Sequence, residues 1–211
     1  MPEFRALLKG YHRFRHDRYE AERRRWATLA TGQAPPVMII ACCDSRVDPA
    51  TIFDTEPGQA FILRNVANLV PPYEQGGGLH GVSAALEFGV TKLEVRHIVV
   101  MGHGACGGIS AALGGHGDPD RTFIDKWIGL LDPAVARVRN METDDPQRAL
   151  ELEGVKTSLA NLRSFPFVAE REQAGELKLH GCHFAIAEGR LWELDEATGQ
   201  FHEIAEETVT A

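Results

Sequence analysis

The sequence predicts an α/β fold, with a mostly parallel central β-sheet flanked by helices, an N-terminal helical arm and a C-terminal β-hairpin. The short apolar runs at residues 37–41 and 95–101 are typical of strands buried on both faces, as in a parallel sheet. Segments with helical patterns lie between strand-like runs, and this alternation favours parallel strand order. Residues 177–187 and 191–194 flank a short Glu-Gly-Arg segment, which predicts the closing hairpin.

Composition and charge limit the possible functions. The chain has 211 residues with 44% hydrophobic and 25% charged residues, as expected for a globular domain with a substantial core. A net charge of -8 argues against a nucleic-acid partner. No apolar run approaches the roughly 20 residues of a membrane span, and the first residues lack the pattern of a signal peptide. Four cysteines, two of them adjacent, do not suggest a disulfide framework, so we expect a cytoplasmic protein.

The first element is predicted to be a long helix over residues 3–29. Its apolar side chains recur at helical spacing, while charged residues occupy the other face. The apolar positions of this stripe are Phe4, Leu7, Leu8, Tyr11 and Phe14. Arginines on the polar face alternate with acidic residues, which is typical of a solvated surface. We expect the aromatic stripe to pack on another subunit.

The remaining elements follow in order. Asp48 and Pro49 suit the N-cap and first position of a short helix. A strand is predicted at residues 60–63. Helices are predicted at 79–92, from Gly107 onward, and over most of 121–168 with breaks near 132–133 and 144–146.

Groups with metal-binding chemistry follow both apolar runs. Cys42, Cys43 and Asp44 come directly after the first run, and His103 and Cys106 follow the second. Ligands bind at the carboxyl ends of strands in open α/β sheets, so these groups are expected to meet. One thiolate from the first segment, with His103 and Cys106, makes a three-ligand set that suits zinc and leaves a fourth position open, as in catalytic sites. Strand geometry points Cys42 and Cys43 to opposite sides, and spacing alone leaves both as candidates.

Two signatures then identify a family resemblance. Residues 42–46 fit the pattern Cys-x-Asp-Ser-Arg, and residues 102–108 fit Gly-His-x-x-Cys-Gly-Gly. The chain resembles β-class carbonic anhydrases in both signatures and in the connecting segment 64–72, over residues 33 to 192 in all. Finer similarities point to the plant-like branch of the family, although Phe88 stands where that branch has tyrosine.

The resemblance implies one zinc ion per chain, held by Cys42, His103 and Cys106. It implies reversible hydration of carbon dioxide to bicarbonate and a proton, by attack of zinc-bound hydroxide. Asp44 would orient that hydroxide, and Arg46 would pair with Asp44 and keep it off the metal.

The resemblance also implies an assembly and a substrate pocket. The implied substrate contacts are Gln33, Phe61 and the backbone amide of Gly104. A homodimer or larger homo-oligomer is implied, in which Gln33 serves a neighbour's zinc. The predicted division is an arm at residues 1–32 and a zinc-binding α/β catalytic domain at 33–211.

Two other functions are considered. A hydrolase of carbon disulfide or carbonyl sulfide could use the same scaffold, because those substrates are also linear and apolar. A non-catalytic zinc protein is disfavoured, since a structural zinc usually has a fourth protein ligand. His180, Cys182 and His183 cluster in the hairpin, but alternation sends Cys182 and His183 to opposite sides, so a second zinc site is not expected.

Overall fold

The structure, a computed structural model, describes residues 1–76, 80–115 and 123–205. These residues group into two compact units, 1–34 and the described part of 35–211. None of the helices within the described ranges is long and apolar enough to cross a membrane.

The first unit contains helices α1 (Pro2–Phe14) and α2 (Arg23–Leu29), with a π-helical turn at Arg15–Tyr19 between them. The single helix predicted for this segment is therefore interrupted. At the interruption, Phe14 packs edge-on against Trp26, with ring centroids 5.4 Å apart. Four of the five apolar side chains of the predicted stripe are exposed by 44% or more in the described structure. They are Phe4, Leu7, Leu8 and Tyr11.

Six strands form one sheet in the described part of the second unit, in the order β2-β1-β3-β4-β5-β6. The strands are β1 (Val37–Cys42), β2 (Ala60–Asn65), β3 (His97–His103), β4 (Lys178–Ala185), β5 (Arg190–Asp195) and β6 (Gln200–Glu203). The first four are parallel, and β5 and β6 are antiparallel additions at one edge. This confirms the predicted fold class. Strand β6 was not predicted, and β3 extends two residues beyond its predicted end to include His103.

Helices of the second unit pack mainly on one face of the sheet. They are α3 (Pro49–Ile52), α4 (Gly81–Glu87), α5 (Gly107–Gly114), α6 (Phe123–Ile128), α7 (Asp132–Arg139), α8 (Pro146–Leu162) and α9 (Pro166–Gln173). Asp48 caps α3 by accepting a hydrogen bond from the Ala50 amide, as its sequence position predicts. Leu79, the predicted start of the helix that becomes α4, lies outside the described residues.

Helix α8 packs unusually close to the centre of the sheet. A Cβ atom on Gly102 would lie 2.8 Å from a Val155 methyl group, and one on Gly181 would lie 2.9 Å from Val155 and Leu159. Glycine at these positions on two adjacent strands therefore allows the helix to approach the sheet. Because α8 lies so close, its first turns reach the carboxyl end of β3, where the predicted metal ligands are located.

Candidate metal centre

The sheet order brings the three predicted ligands together. Cys42 ends β1, His103 ends β3, and Cys106 is the N-cap residue of α5 immediately after β3. Strands β1 and β3 are parallel neighbours, with Ala41 opposite Met101, so their carboxyl ends meet. The two sulfur atoms and one ring nitrogen of the three residues lie within 4.8 Å of one another, and all three residues are buried.

The two sulfur atoms suit a shared metal ion. Cys42 Sγ and Cys106 Sγ are 4.0 Å apart, near the roughly 3.8 Å expected for two thiolates at 2.3 Å from a tetrahedral zinc. The hydrogen bond from Cys106 lowers the pKa of Cys42 to about 4, and that same bond and burial raise the pKa of Cys106. The two sulfur atoms thus interact directly, and a divalent cation between them would favour the thiolate form of both.

The His103 ring is oriented for metal binding. Its Nδ1 lies 2.9 Å from the Gly104 carbonyl oxygen, so the ring proton is placed on Nδ1 to donate to it. Nε2 is then a free lone pair on a side chain that is fully buried. It has no hydrogen-bond partner in the part of the chain that the structure describes. A buried polar atom without a partner is costly, and a metal ion bound to it would remove that cost.

Asp44 lies beside this group and is held by Arg46. The guanidinium donates two hydrogen bonds to the carboxylate, Nε to Oδ1 at 2.9 Å and Nη2 to Oδ2 at 2.6 Å. Nη2 also donates to the Ala105 carbonyl at 3.0 Å, which ties the pair to the loop before Cys106. The pairing with Arg46 holds the pKa of Asp44 well below its usual range. Asp44 is therefore an acceptor at neutral pH, with Oδ2 4.0 Å from His103 Nε2.

Hydrogen bonds from elsewhere shape the loop that carries Cys42 and Asp44. Arg64, on the neighbouring strand β2, donates to the carbonyl groups of Cys42, Asp44 and Val47 at 3.0, 2.7 and 2.9 Å. The Ala67 amide donates to Cys42 Sγ at 3.4 Å, which favours the thiolate form. The sequence places Arg64 in the matching segment but does not indicate this role, because it depends on strand pairing.

Cys43 lies apart from the group. Its side chain is exposed, whereas Cys42 is 4% exposed. The structure thus brings Cys42 rather than Cys43 next to His103 and Cys106, as strand alternation requires for neighbouring residues.

The three predicted substrate contacts, unlike the metal ligands, do not come together in the structure. Phe61 lies opposite Met38 in the sheet, four residues before Cys42, so it is about 13 Å along the strands from its own chain's metal group. Gln33 belongs to the first unit and is exposed. The Gly104 amide donates to the Phe184 carbonyl at 2.9 Å, so it is engaged within the chain rather than free to face a substrate. We therefore assign Gly104 no substrate contact.

Three further residues form a hydrogen-bonded group at the Cys106 peptide, and sequence reasoning missed their role. Glu151 of α8 accepts a hydrogen bond from the Cys106 amide at 3.1 Å. Gln147 and His183 in turn bind Glu151. A glutamate among the apolar positions of a buried helix was the available signal, but its partners depend on how α8 and β4 pack.

Comparison with known proteins decides the family. A family model described as carbonic anhydrase matches residues 37–191. β-Carbonic anhydrase 3 of Arabidopsis thaliana is 39% identical over 198 residues, covering 90% of this chain and 76% of the relative. The chain belongs to the β-carbonic anhydrase family. It is a carbonate dehydratase, a zinc-dependent lyase that hydrates carbon dioxide reversibly, and the comparisons do not favour the alternative hydrolase function.

Solved β-carbonic anhydrases share the fold. The structure of the β-carbonic anhydrase CcaA superposes with a TM-score of 0.89 at 29% identity, covering 98% of this chain and 94% of that one. A tetrameric β-carbonic anhydrase of Sordaria macrospora gives a TM-score of 0.80 at 27% identity, covering 97% and 100% of the two chains. The similarity therefore extends over nearly the whole chain.

Proposed function

We propose that this carbonic anhydrase holds one zinc ion per chain on Cys42 Sγ, His103 Nε2 and Cys106 Sγ. The observation that carries the proposal is the buried, unpartnered His103 Nε2 beside two sulfur atoms 4.0 Å apart. Three soft ligands are the set expected for a catalytic zinc with an open fourth position. Zinc held there would lower the pKa of a water molecule to about 7 and so would supply hydroxide for the hydration of carbon dioxide at neutral pH.

Asp44 and Arg46 lie where they can orient a molecule at the open fourth position of the proposed zinc ion. Asp44 Oδ2 faces the ligand group and can accept a hydrogen bond from the attacking oxygen, which directs a lone pair toward carbon dioxide. Arg46 occupies both carboxylate oxygens and so weakens Asp44 as a metal ligand. Because pairing with Arg46 holds the pKa of Asp44 well below its usual range, the carboxylate is a weak base. It therefore acts as an orienting acceptor rather than as the proton acceptor of the reaction.

Gln33 and Phe61 are proposed to contact carbon dioxide in the site of a neighbouring subunit. Phe61 is too far from the metal group of its own chain to touch a molecule bound there, as its register opposite Met38 indicates. The exposed apolar stripe of α1 supports a homo-oligomer, and a related structure with 27% identity is tetrameric. We therefore propose an obligate homo-oligomer whose N-terminal arm exchanges between chains.

Subunit mixing tests the exchanged contact. Gln33→Ala chains keep the metal ligands, and Cys42→Ala chains keep an intact arm. Each variant alone should be slow or inactive. If Gln33 acts in the neighbour's site, co-assembled hetero-oligomers should regain hydration activity, because an intact arm then serves an intact metal site.

The control is the double variant Gln33→Ala/Cys42→Ala mixed with Cys42→Ala. This mixture should stay inactive, because neither chain keeps all three metal ligands. Activity of the mixed Gln33→Ala and Cys42→Ala proteins equal to the mean of the separate proteins would contradict exchange. Deletion of residues 1–30 should independently weaken assembly in sedimentation.

The proposed activity is tested directly by stopped-flow hydration of carbon dioxide. Zinc-loaded enzyme should be active, chelator-stripped enzyme should fall to the uncatalysed rate, and added zinc should restore turnover at one ion per chain. Turnover of carbon disulfide and carbonyl sulfide is measured on the same preparation. Faster hydrolysis of either sulfur compound than hydration of carbon dioxide would overturn the assignment.

We also propose a cytoplasmic location. All four cysteines are free thiols in the structure, and two of them must be thiolates to bind zinc. A reducing compartment keeps thiols in this form. Imaging of the tagged full-length protein in its own cells tests this proposal.

A further inference from the structure

The residues beneath the Cys106 loop form a hydrogen-bonded cluster that the proposed mechanism does not use. We call Gln147, Glu151 and His183 the Glu151 cluster. Glu151 and His183 are buried to 98% or more at their side chains. Burying a carboxylate against a histidine costs desolvation free energy unless its hydrogen bonds are satisfied. A buried cluster with this desolvation cost is expected to have a structural or functional role, and its contacts indicate that role.

The cluster binds both ends of the Cys106 residue. Glu151 Oε1 accepts from the Cys106 amide at 3.1 Å, and Gln147 Nε2 donates to the Cys106 carbonyl at 3.1 Å. The same Gln147 nitrogen donates to Glu151 Oε1 at 2.8 Å. Gln147 and Glu151 are four residues apart on α8 and therefore lie on the same face of the helix. The main chain of Cys106 is thus held on both sides by one turn of α8.

His183 fixes the remaining oxygen of the carboxylate. Its Nε2 lies 2.9 Å from Glu151 Oε2. An ionised carboxylate only accepts hydrogen bonds, so His183 donates from Nε2. The cluster is thereby anchored to β4, next to Gly102 in the sheet register.

The loop before Cys106 needs such support. Ala105 has a left-handed backbone with φ of 54°, which is unfavourable for a residue with a Cβ atom. Cys106 must nevertheless place its sulfur 4.0 Å from that of Cys42. Hydrogen bonds that hold the Cys106 peptide therefore also hold the position of its sulfur.

We infer that the Glu151 cluster is a positioning device for the zinc ligand Cys106, through which Glu151 and His183 set the affinity and geometry of the metal site. The inference rests on the proposed ligand set. Groups that hydrogen-bond metal ligands typically affect affinity by about 10- to 100-fold, and we expect a loss of this size when Glu151 is removed.

The test compares two buried glutamates on the same helix. Glu153 is also buried but pairs with Arg137 and Lys156, away from Cys106. Zinc affinity is measured by chelator competition on the purified holoenzymes of Glu151→Ala and Glu153→Ala. Glu151→Ala should bind zinc about 10- to 100-fold more weakly than wild type, and Glu153→Ala should not. Equal affinity losses in the two variants would overturn the inference, because they would reflect general destabilisation.

A spectroscopic readout separates positioning from stability. In the cobalt-substituted proteins, the thiolate-to-cobalt absorption should shift in Glu151→Ala and stay as in wild type in Glu153→Ala. Glu151→Gln keeps one oxygen for the Cys106 amide and should recover most of the affinity. An unchanged cobalt spectrum in Glu151→Ala would contradict the positioning role.

Two more variants make every result decisive. If Glu151→Ala does not fold, Gln147→Ala decides instead, since it removes only the bonds from a partly buried side chain. Gln147→Ala should lower the affinity for zinc several-fold, and an unchanged affinity would overturn the inference. Cys106→Ala tests the ligand set separately. If Cys106→Ala loses zinc while the cluster variants keep it, only the positioning inference fails, and if Cys106→Ala retains zinc the ligand set itself is wrong.

Discussion

Cys42→Ala should lose zinc and fall to the uncatalysed rate of carbon dioxide hydration. Cys42 is one of the three proposed protein ligands, and its buried sulfur lies 4.0 Å from that of Cys106. The loss of affinity should exceed the roughly 10- to 100-fold effect of residues that only hydrogen-bond a ligand. Zinc content by atomic absorption and stopped-flow hydration on the same samples measure both effects.

The matched control is the adjacent residue. Cys43→Ala removes a thiol one position away, on the exposed side of the strand end, and should keep one zinc per chain and wild-type turnover. The Cys43 amide donates to the Asn65 carbonyl at 2.8 Å, and this bond is unaffected by the substitution. If Cys43→Ala loses zinc while Cys42→Ala keeps it, the proposed ligand assignment is wrong.

Arg46→Ala should reduce hydration steeply while zinc content stays near one per chain. Removing the guanidinium leaves the Arg46 backbone amide on Asp44 Oδ1 at 2.9 Å. It releases Oδ2, which lies 4.0 Å from His103 Nε2. Ligand atoms on a tetrahedral zinc are about 3.3 Å apart when their bonds are near 2.0 Å. A shift of under about 1 Å would therefore let the carboxylate close the fourth position. The loss should reach about 100- to 1,000-fold, the usual effect of removing one oriented hydrogen-bonding group.

Two further variants test the cause of that loss. Asp44→Ala/Arg46→Ala should reopen the metal to water but stay slow, because no acceptor orients the attacking oxygen. Arg163→Ala removes a guanidinium from a bidentate pair with Glu172 elsewhere on the surface and should leave hydration unchanged. Zinc-edge spectroscopy counts sulfur and light-atom ligands, and a crystal structure of Arg46→Ala identifies the fourth ligand. Normal turnover of Arg46→Ala with water still on zinc would rule out this role for the pair.

Local patterns in the sequence were sufficient for strands β1 to β5 and for the ligand-bearing segments. Buried strands give continuous apolar runs, so β1 and β3 were predicted within one or two residues of their bounds. The capped start of α3 follows from Asp48 and Pro49 alone. Ligands bind at the carboxyl ends of parallel strands, so the metal-binding groups at two strand ends indicated the site. Each of these signals lies within a few residues of chain.

The limits of that prediction are also local. The helix expected over residues 3–29 is broken by a π-helical turn at Arg15–Tyr19, since apolar spacing does not register a change of hydrogen-bonding pattern. Strand β6 is short and has little apolar character, and its place depends on pairing with β5. Neither feature has a distinct periodic signature.

The sequence by itself determined the candidate residues for binding zinc and orienting its chemistry, because these residue types and spacings are contained in two short signatures. Only the tertiary structure decided which groups surround them. Strand register places Phe61 at the far end of the sheet from Cys42, and close packing of α8 brings Glu151 to Cys106 and His183. The physical reason is that contacts between residues distant along the chain depend on strand order and helix approach, which no local pattern encodes.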